Sequence, residues 1–231
     1  MKERSIAITR EMQVSISGTT DHSDLDQPIW AINWFDLKRP KLYTFYNVLA
    51  FPHVKKVKAQ VHFKGYVRKV IEGNPLLDRK MLLIVKYPDA QSFLSLVSNK
   101  VFLLKSVLRL QSVKRFSFGF MQRFGDSPLP LAKPQKYKGT KTYLALVLQG
   151  NSDNSTLENL KNLANEHKAE LHFLGVKTAT IARKKQGVTQ TQPFVMDTLA
   201  VFEIEKSDIL VAALAEIKME SKGIYLLRRI L

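Results

Sequence analysis

Two histidines of this chain recur in the same eight-residue context. The segment 58–65 (KAQVHFKG) returns at 168–175 as KAELHFLG, with Lys, Ala, His, Phe and Gly unchanged. A histidine can carry a proton or contact a ligand near neutral pH, so His62 and His172 are the first candidates for chemistry. Repetition inside a chain is also the mark of a duplicated fold. On that interpretation both histidines lie where two modules meet, and each points away from its own helices.

The other constant residues of this repeat then have structural roles. Successive side chains of a strand point to opposite faces, so Phe63 and Phe173 are expected to face the cores of their own modules. Gly65 and Gly175 are expected to allow a bend in the strand. Any catalytic or binding chemistry is then expected at residues that differ between the two copies.

A second set of candidates combines aromatic walls with a few polar groups, the usual composition of a small-molecule pocket. The ligand-binding candidates are Asn33, Trp34, Tyr46, His62, Tyr87 and Arg109. Asn33, His62 or Arg109 could polarise an enolate or an oxyanion. The alternative is an ordinary aromatic core with Arg109 at the surface. No residue receives a catalytic role, and whether the protein is an enzyme stays open.

Several kinds of site are not expected. The chain has no cysteine, which excludes disulfides, thiol catalysis and cysteine–zinc sites. No pair of histidines has metal-ligand spacing such as His-x-x-x-His, so we expect no metal and no cofactor. There is no Gly-rich phosphate loop after a strand, and no Ser-His-Asp set stands out.

The elements that must position these residues repeat as well. Apolar periodicity predicts two modules with the order β-α-β-β-α-β, at 28–124 and 141–231, which is the ferredoxin-like arrangement. The Pro-rich segment 125–140 is predicted to be a stiff linker. The arm 1–27 alternates apolar and polar residues, which predicts one strand or a short hairpin, and we expect it to add an edge strand to the fold. The segment 184–193 is predicted to be a polar loop.

The positive charge is concentrated in the first module. The net charge is +16, and residues 28–124 hold eighteen basic and four acidic side chains, a net charge of +14. Such a field attracts polyanions and anionic ligands, so weak nonspecific nucleic-acid binding is one expected property. The alternative is a basic surface that serves solubility alone.

The sequence predicts a protein that neither spans nor enters a membrane. It has no apolar run long enough to cross a bilayer, and its first residues do not form a signal peptide. A cytoplasmic location is the default expectation.

One segment resembles a known family. In 80–93 (KMLLIVKYPDAQSF) a strand ends in Tyr87-Pro88, and a polar cap and a helix with an early aromatic follow. This pattern is similar to an uncharacterised family of dimeric α+β-barrel proteins, related to antibiotic-biosynthesis-type monooxygenases, muconolactone isomerases, EthD-like and stress-responsive barrel proteins, and haem-binding dismutases and peroxidases. His62 to Gly65 and Arg109 also fall where that family has a strand ending in Gly and a helix-end Arg. The resemblance covers about 28–124, whereas the second module has Glu205-Lys206 in place of Tyr87-Pro88.

The resemblance implies that one chain supplies both halves of a barrel whose halves usually come from two chains. We therefore expect an α+β fold in which two tandem ferredoxin-like modules form an intramolecular dimeric α+β barrel. The protein is then either a monomer with an internal pseudo-twofold axis or a homodimer. Because this fold carries many chemistries, it does not identify a reaction.

Three functional hypotheses remain open. The first is binding of a small, anionic ligand in the first module, with the second module as a structural partner. The second is a cofactor-independent monooxygenase or isomerase. The third is nonspecific polyanion binding. The sequence does not identify the ligand, the substrate or the pathway.

Overall fold

The computed structural model describes residues 3–9, 12–18, 27–124, 142–150, 153–185, 188–191, 194–204, 208–219 and 221–230. Over these residues the chain forms eleven strands and five helices. The strands are β1 (Glu3–Thr9), β2 (Met12–Gly18), β3 (Ile29–Leu37), β4 (Gln60–Glu72), β5 (Met81–Tyr87), β6 (Val113–Arg123), β7 (Thr142–Gln149), β8 (Glu170–Lys185), β9 (Val188–Thr191), β10 (Thr198–Ile204) and β11 (Ser221–Arg229). The helices are α1 (Pro40–Lys56), α2 (Ala90–Ser98), α3 (Lys100–Ser112), α4 (Asn154–Glu166) and α5 (Asp208–Ala215).

The strands join in one hydrogen-bonded order, β1-β2-β8-β10-β7-β11-β4-β5-β3-β6, and β9 pairs with β8 outside it. Strand β6 also pairs with β8, so the order of the eight strands from β8 to β6 closes on itself, as in a barrel. The pairs β7–β10, β8–β10, β4–β11 and β3–β6 are antiparallel. The prediction of a mixed α+β fold is confirmed.

The structure differs from the predicted elements in three places. The N-terminal arm holds two antiparallel strands, which is the hairpin alternative rather than the single added strand, and β2 pairs with β8. The predicted alternation breaks at Arg10, which lies between these strands. Helix α3 has no counterpart in the predicted order, and β8 extends to Lys185 and pairs with β9 inside the predicted polar loop. The predicted linker 125–140 lies outside the described residues.

The chain divides into two compact units. Unit 1 consists of 1–62, 83–121 and 178–194, and unit 2 of 63–82, 122–177 and 195–231. The predicted modules 28–124 and 141–231 follow the repeat in the sequence instead, and they stay a prediction. None of the described helices has the length and apolar character that crossing a membrane requires.

The core of unit 1 is aromatic. Phe93 on α2 contacts the ring of Tyr87 at 5.3 Å and the ring of Phe120 at 4.9 Å between centroids. Phe35 on β3 lies 5.3 Å from the ring of Tyr43 on α1. Helix α2 begins at a genuine cap, because the carboxylate of Asp89 accepts a hydrogen bond from the N–H of Ser92 at 2.6 Å. These contacts hold the helices on the strands that carry the candidate residues.

One buried cluster in unit 2 is mainly aliphatic. Leucines of β7 alternate with those of α4 and α5 in one buried cluster, which includes Leu144, Leu146, Leu157, Leu160 and Leu214. Helix α4 is capped by Asp153, whose Oδ1 accepts from the N–H of Thr156 at 2.9 Å. The leucine spacing on α4 follows the helical period, so its buried face could be predicted from the sequence.

The repeated Lys-Ala pair ends a helix in both copies. Lys58 and Lys168 have left-handed backbones, with φ of 55° and 52°. In the second copy the N–H of Ala169 donates to the carbonyl of Ala164 at 2.8 Å, and the first copy has the same bond at 3.1 Å. This six-to-one bond is the Schellman closure of a helix. The repeat therefore marks two equivalent turns from helix to strand.

In both copies the ring of the repeated Phe packs against the repeated Gly. A Cβ on Gly65 would lie 2.6 Å from the ring of Phe63, and a Cβ on Gly175 would lie 2.6 Å from the ring of Phe173. Each glycine is therefore needed for the close approach of the ring two residues before it, rather than for a bend. Phe63 also lies 5.4 Å from the ring of Tyr143 on β7. Phe63 is buried, and its expected place in the core of its own module stays a prediction.

A β-bulge changes the faces around His172. Strand β10 pairs Val201 with Phe173 but Phe202 with Leu171, so the register of β8 shifts by one residue at His172, as in a β-bulge. The strict alternation that predicted opposite faces for His172 and Phe173 does not hold at this point. A bulge of this kind can be placed only when the partner strand is known.

We predict that Lys168→Gly stabilises the protein. Glycine adopts the left-handed conformation without the steric cost that a lysine incurs, so the free energy of unfolding should rise by about 1 kcal/mol. Chemical denaturation of the two proteins measures the difference. Lys161→Gly, inside α4, is the matched control and should lower stability by about 1 kcal/mol. A loss of stability in Lys168→Gly would show that the lysine side chain matters more than its backbone.

Candidate functional site

The candidate site of unit 1 lies where α1 packs against α3. Helix α3 begins at Asn99, whose Oδ1 accepts a hydrogen bond from the N–H of Phe102 at 3.0 Å. One turn later Lys105 reaches back to α1, where its Nζ is 2.9 Å from Nε2 of His53. The two helices are thus tied together before α3 reaches Arg109, in its last turn.

Arg109 is the unusual residue of this site. Its guanidinium carbon lies 4.6 Å from the centroid of the Phe116 ring. Its Nε atom is buried and has no hydrogen-bond partner among the described residues. A buried donor without an acceptor costs about 1–3 kcal/mol, and native proteins hold few of them. This atom therefore requires an explanation.

The charge of the Arg109 guanidinium acts on three buried tyrosines. Burial raises the pKa of the Tyr43 hydroxyl well above its usual range, and the charge of Arg109 opposes that rise. The same two influences act on the pKa of Tyr46, whose hydroxyl also bonds to Ser106. Burial and then Tyr46 raise the pKa of Tyr87, and Arg109 again opposes. All three hydroxyls stay protonated at neutral pH, so they can donate hydrogen bonds.

The predicted ligand-binding residues fall into two groups. The structure brings Tyr46, Tyr87 and Arg109 into one electrostatically coupled set. Asn33, Trp34 and His62 are not part of this set. The amide nitrogen of Asn33 faces two backbone carbonyl oxygens at 3.5 and 3.4 Å. Trp34 is fully buried.

His62 and His172 have different surroundings in the two copies. His62 in unit 1 is buried and lies edge-on to the Trp30 ring, with 4.8 Å between centroids. In unit 2, Nε2 of His172 lies 2.9 Å from Oε2 of Glu203, and the same oxygen accepts a hydrogen bond from the Tyr143 hydroxyl at 2.9 Å. Burial lowers the pKa of His172, although Glu203 and another carboxylate nearby act to raise it.

Two residues of the site in unit 1 were missed from the sequence. Tyr43 lies one helical turn before Tyr46, and Ser106 one turn before Arg109. Residues three apart on a helix are neighbours on its surface. The signal was therefore present in the spacing, but it is useful only once 100–112 is known to be a helix.

The chain matches no protein-family model, and no curated protein matches it. Among solved structures, it is similar to a protein from Fusobacterium nucleatum subsp. nucleatum, named provisionally as a monooxygenase. That match has 13% identity and a TM-score of 0.46, and it covers 89% of this chain and 93% of the other. A mutant chlorite dismutase from Candidatus Nitrospira defluvii matches with 12% identity and a TM-score of 0.43, covering 91% and 95%.

A shorter protein of unknown function from Rhodopseudomonas palustris matches part of the chain. Its identity is 15% and its TM-score 0.41, and the match covers 44% of this chain and 85% of the other. Identities and TM-scores this low carry no argument about activity.

We predict that removing Arg109 changes the stability less than removing Arg115. Arg109→Met keeps most of the packing and removes an unpaired donor, so the free energy of unfolding should stay within about 1 kcal/mol of the parent value. Arg115→Met is the matched control. It removes an ion pair with the buried Asp36 and should cost about 2 kcal/mol. Urea denaturation measures both. A cost for Arg109→Met equal to that of Arg115→Met would mean that Arg109 serves the fold.

Proposed function

We propose that unit 1 binds a small anionic ligand beside Arg109. The observation that carries the proposal is the buried Nε without a hydrogen-bond partner among the described residues. The fold bears the desolvation of this donor, and an acceptor oxygen of a ligand would satisfy it. The surplus of positive charge in 28–124 would draw an anion toward the site.

The surroundings of Arg109 favour a planar, aromatic anion. A carboxylate accepts well from a guanidinium, and an aromatic ring packs well among rings such as that of Phe116. The hydroxyls of Tyr46 and Tyr87 stay protonated, so they can act as hydrogen-bond donors. Binding in unit 1 requires no residue of the second module, which would act as its structural partner.

The alternative is a cofactor-independent monooxygenase or isomerase that uses the same residues. Both reactions pass through an enolate or a related oxyanion, and Arg109 with a protonated tyrosine would stabilise that negative charge. Tyr87 is one candidate for this role, since burial raises its pKa and keeps its hydroxyl protonated within the field of Arg109. Turnover of an enolisable aromatic compound, lost in Arg109→Met, would favour the enzyme over a binding module.

We also propose that the chain arose by tandem duplication of a ferredoxin-like module. Two features support this. The neighbouring strands β6-β3-β5-β4 and β11-β7-β10-β8 have the same order relative to their position in the chain. The helix-to-strand turns at Lys58 and Lys168 share a left-handed backbone and one hydrogen-bond pattern. The two modules would then form an intramolecular dimeric barrel.

A further candidate function is nonspecific polyanion binding by the basic surface of 28–124. Helix α1 and its flanks carry exposed Lys38, Arg39, Lys41, Lys55 and Lys56. Affinity for a short duplex DNA should fall steeply as salt rises, because it depends on counterion release. An electrophoretic shift that is absent at low salt would remove this candidate.

We predict that salicylate, a planar aromatic carboxylate, binds the protein and depends on Arg109. Calorimetric titration should show one site per chain. Arg109→Met should weaken binding about 10-fold or more, because a hydrogen bond to a charged group contributes about 1.5–3 kcal/mol. Tyr87→Phe should weaken binding less, since it removes a single neutral donor.

Lys100→Met provides the matched control for this titration. It removes the same charge from an exposed position on the same helix, so it tests the long-range field alone and should change the affinity little. Equal losses in Lys100→Met and Arg109→Met would contradict a site at Arg109. So would unchanged affinity in Arg109→Met.

A further inference from the structure

The second copy of the repeat gathers three metal-ligand types in unit 2. Glu170 and His172 lie two residues apart on β8, and Glu203 lies on the neighbouring β10. Their potential ligand atoms all lie within 4.8 Å of one another. Nε2 of His172 is 2.9 Å from Oε2 of Glu203 and 3.7 Å from Oε1 of Glu170. One imidazole nitrogen thus lies near carboxylates from two strands.

The strand register makes this arrangement costly without a cation. Glu170 and Glu203 are direct register partners across the β8–β10 ladder, and like charges placed opposite one another destabilise a sheet. Arg229 offers one positive charge. Its guanidinium lies over the rings of Phe63 and Tyr143, at 5.6 and 5.9 Å. A cation bound between Glu170 and Glu203 would relieve the repulsion between these paired carboxylates.

The remaining contacts of the group suit a first coordination shell. His172 lies at the bulge, which brings its side chain next to the two carboxylates. The Tyr143 hydroxyl donates to Oε2 of Glu203 at 2.9 Å. Hydrogen bonds of this kind orient the ligands of metal sites from outside. Glu203 and His172 are each 14% exposed, so they are held in place, whereas Glu170 is 53% exposed and can adjust.

We propose that Glu170, His172 and Glu203 bind a divalent transition-metal ion. One imidazole nitrogen and two carboxylates form a ligand set that suits Zn²⁺ or Mn²⁺ better than Mg²⁺, which prefers oxygen ligands alone. The ion would lie between the paired carboxylates and neutralise them. Three protein ligands leave positions for water or a substrate oxygen.

The first copy provides an internal control. It keeps the histidine, as His62, but it has Gln60 where the second copy has Glu170. Near His62, the ammonium of Lys86 lies 5.4 Å from the centre of the Trp30 ring that the histidine contacts. Gln60 thus offers an amide where Glu170 offers a carboxylate. The ligand set is therefore a property of one copy and not of the repeat.

Calorimetric titration of the untagged full chain with ZnCl₂ and MnCl₂ tests the proposal. We expect one ion per chain and a rise in the thermal midpoint of unfolding with added ion. His172→Ala should weaken binding by about 100-fold, since it removes one of three ligands. His62→Ala should bind as the parent chain does.

A second variant guards against misfolding. Glu170→Gln changes an exposed side chain, so circular dichroism should match the parent while the affinity falls about 10-fold or more. Absence of a site with an occupancy of one would overturn the proposal. Equal losses in His62→Ala and His172→Ala would also overturn it, because they would indicate binding at scattered surface histidines.

Discussion

Burial of both faces of the central strands is the constraint on which this structure depends. Eight of the nine residues of β3 are buried, and so are six of the eight in β7. When a sheet closes on itself, one of its faces packs against helices and the other faces an interior without solvent. Polar side chains on such strands are stable only if they find partners within the protein. The polar groups described here follow from that requirement.

Three side chains of unit 2 have such partners. Tyr143, His172 and Glu203 form a continuous chain of hydrogen bonds. In unit 1 the buried Asp36 pairs with Arg115. Arg109 differs from all of these, because its buried Nε is without a partner among the described residues. Stability alone would not select such a group, which is why we assign it to ligand binding.

The fold could be predicted from the sequence in its outline. The octapeptide repeat and the apolar periodicity predicted the mixed class and most strands. Periodicity could not place α3, because Leu104, Val107 and Leu110 are exposed on it, and exposed apolar residues obscure the helical pattern. The bulge at His172 also could not be predicted, since it depends on the register of two strands far apart in the chain.

The candidate sites were less accessible to prediction. Tyr46, Tyr87 and Arg109 were chosen for their residue types, and the structure couples them. The group of Glu170, His172 and Glu203 was missed, because a search for metal-ligand spacing considers one element at a time and this group spans two paired strands. Conversely, the repeated histidine drew attention to both copies, although only the neighbours of His172 provide carboxylates from β8 and β10.

If the chain arose by duplication, the two copies share a backbone fold but differ in the side chains that could do chemistry. The residues that repeat end helices and let rings approach glycines, and these roles are structural. The residues that differ set the charge around each histidine and place Arg109 in one copy alone. Divergence of two copies that share a fold would produce this pattern, because the fold constrains backbone positions more strongly than it constrains exposed or functional side chains.

Our proposal for unit 1 is that the Nε–H of Arg109 donates a hydrogen bond to an oxygen of a bound ligand. A crystal structure of the chain grown with salicylate tests it most directly. The account predicts a ligand oxygen about 2.7–3.1 Å from that nitrogen, with the ring against the aromatic side chains of unit 1. Density showing Nε bonded to a protein oxygen, with side chains filling the space around it, would contradict the account.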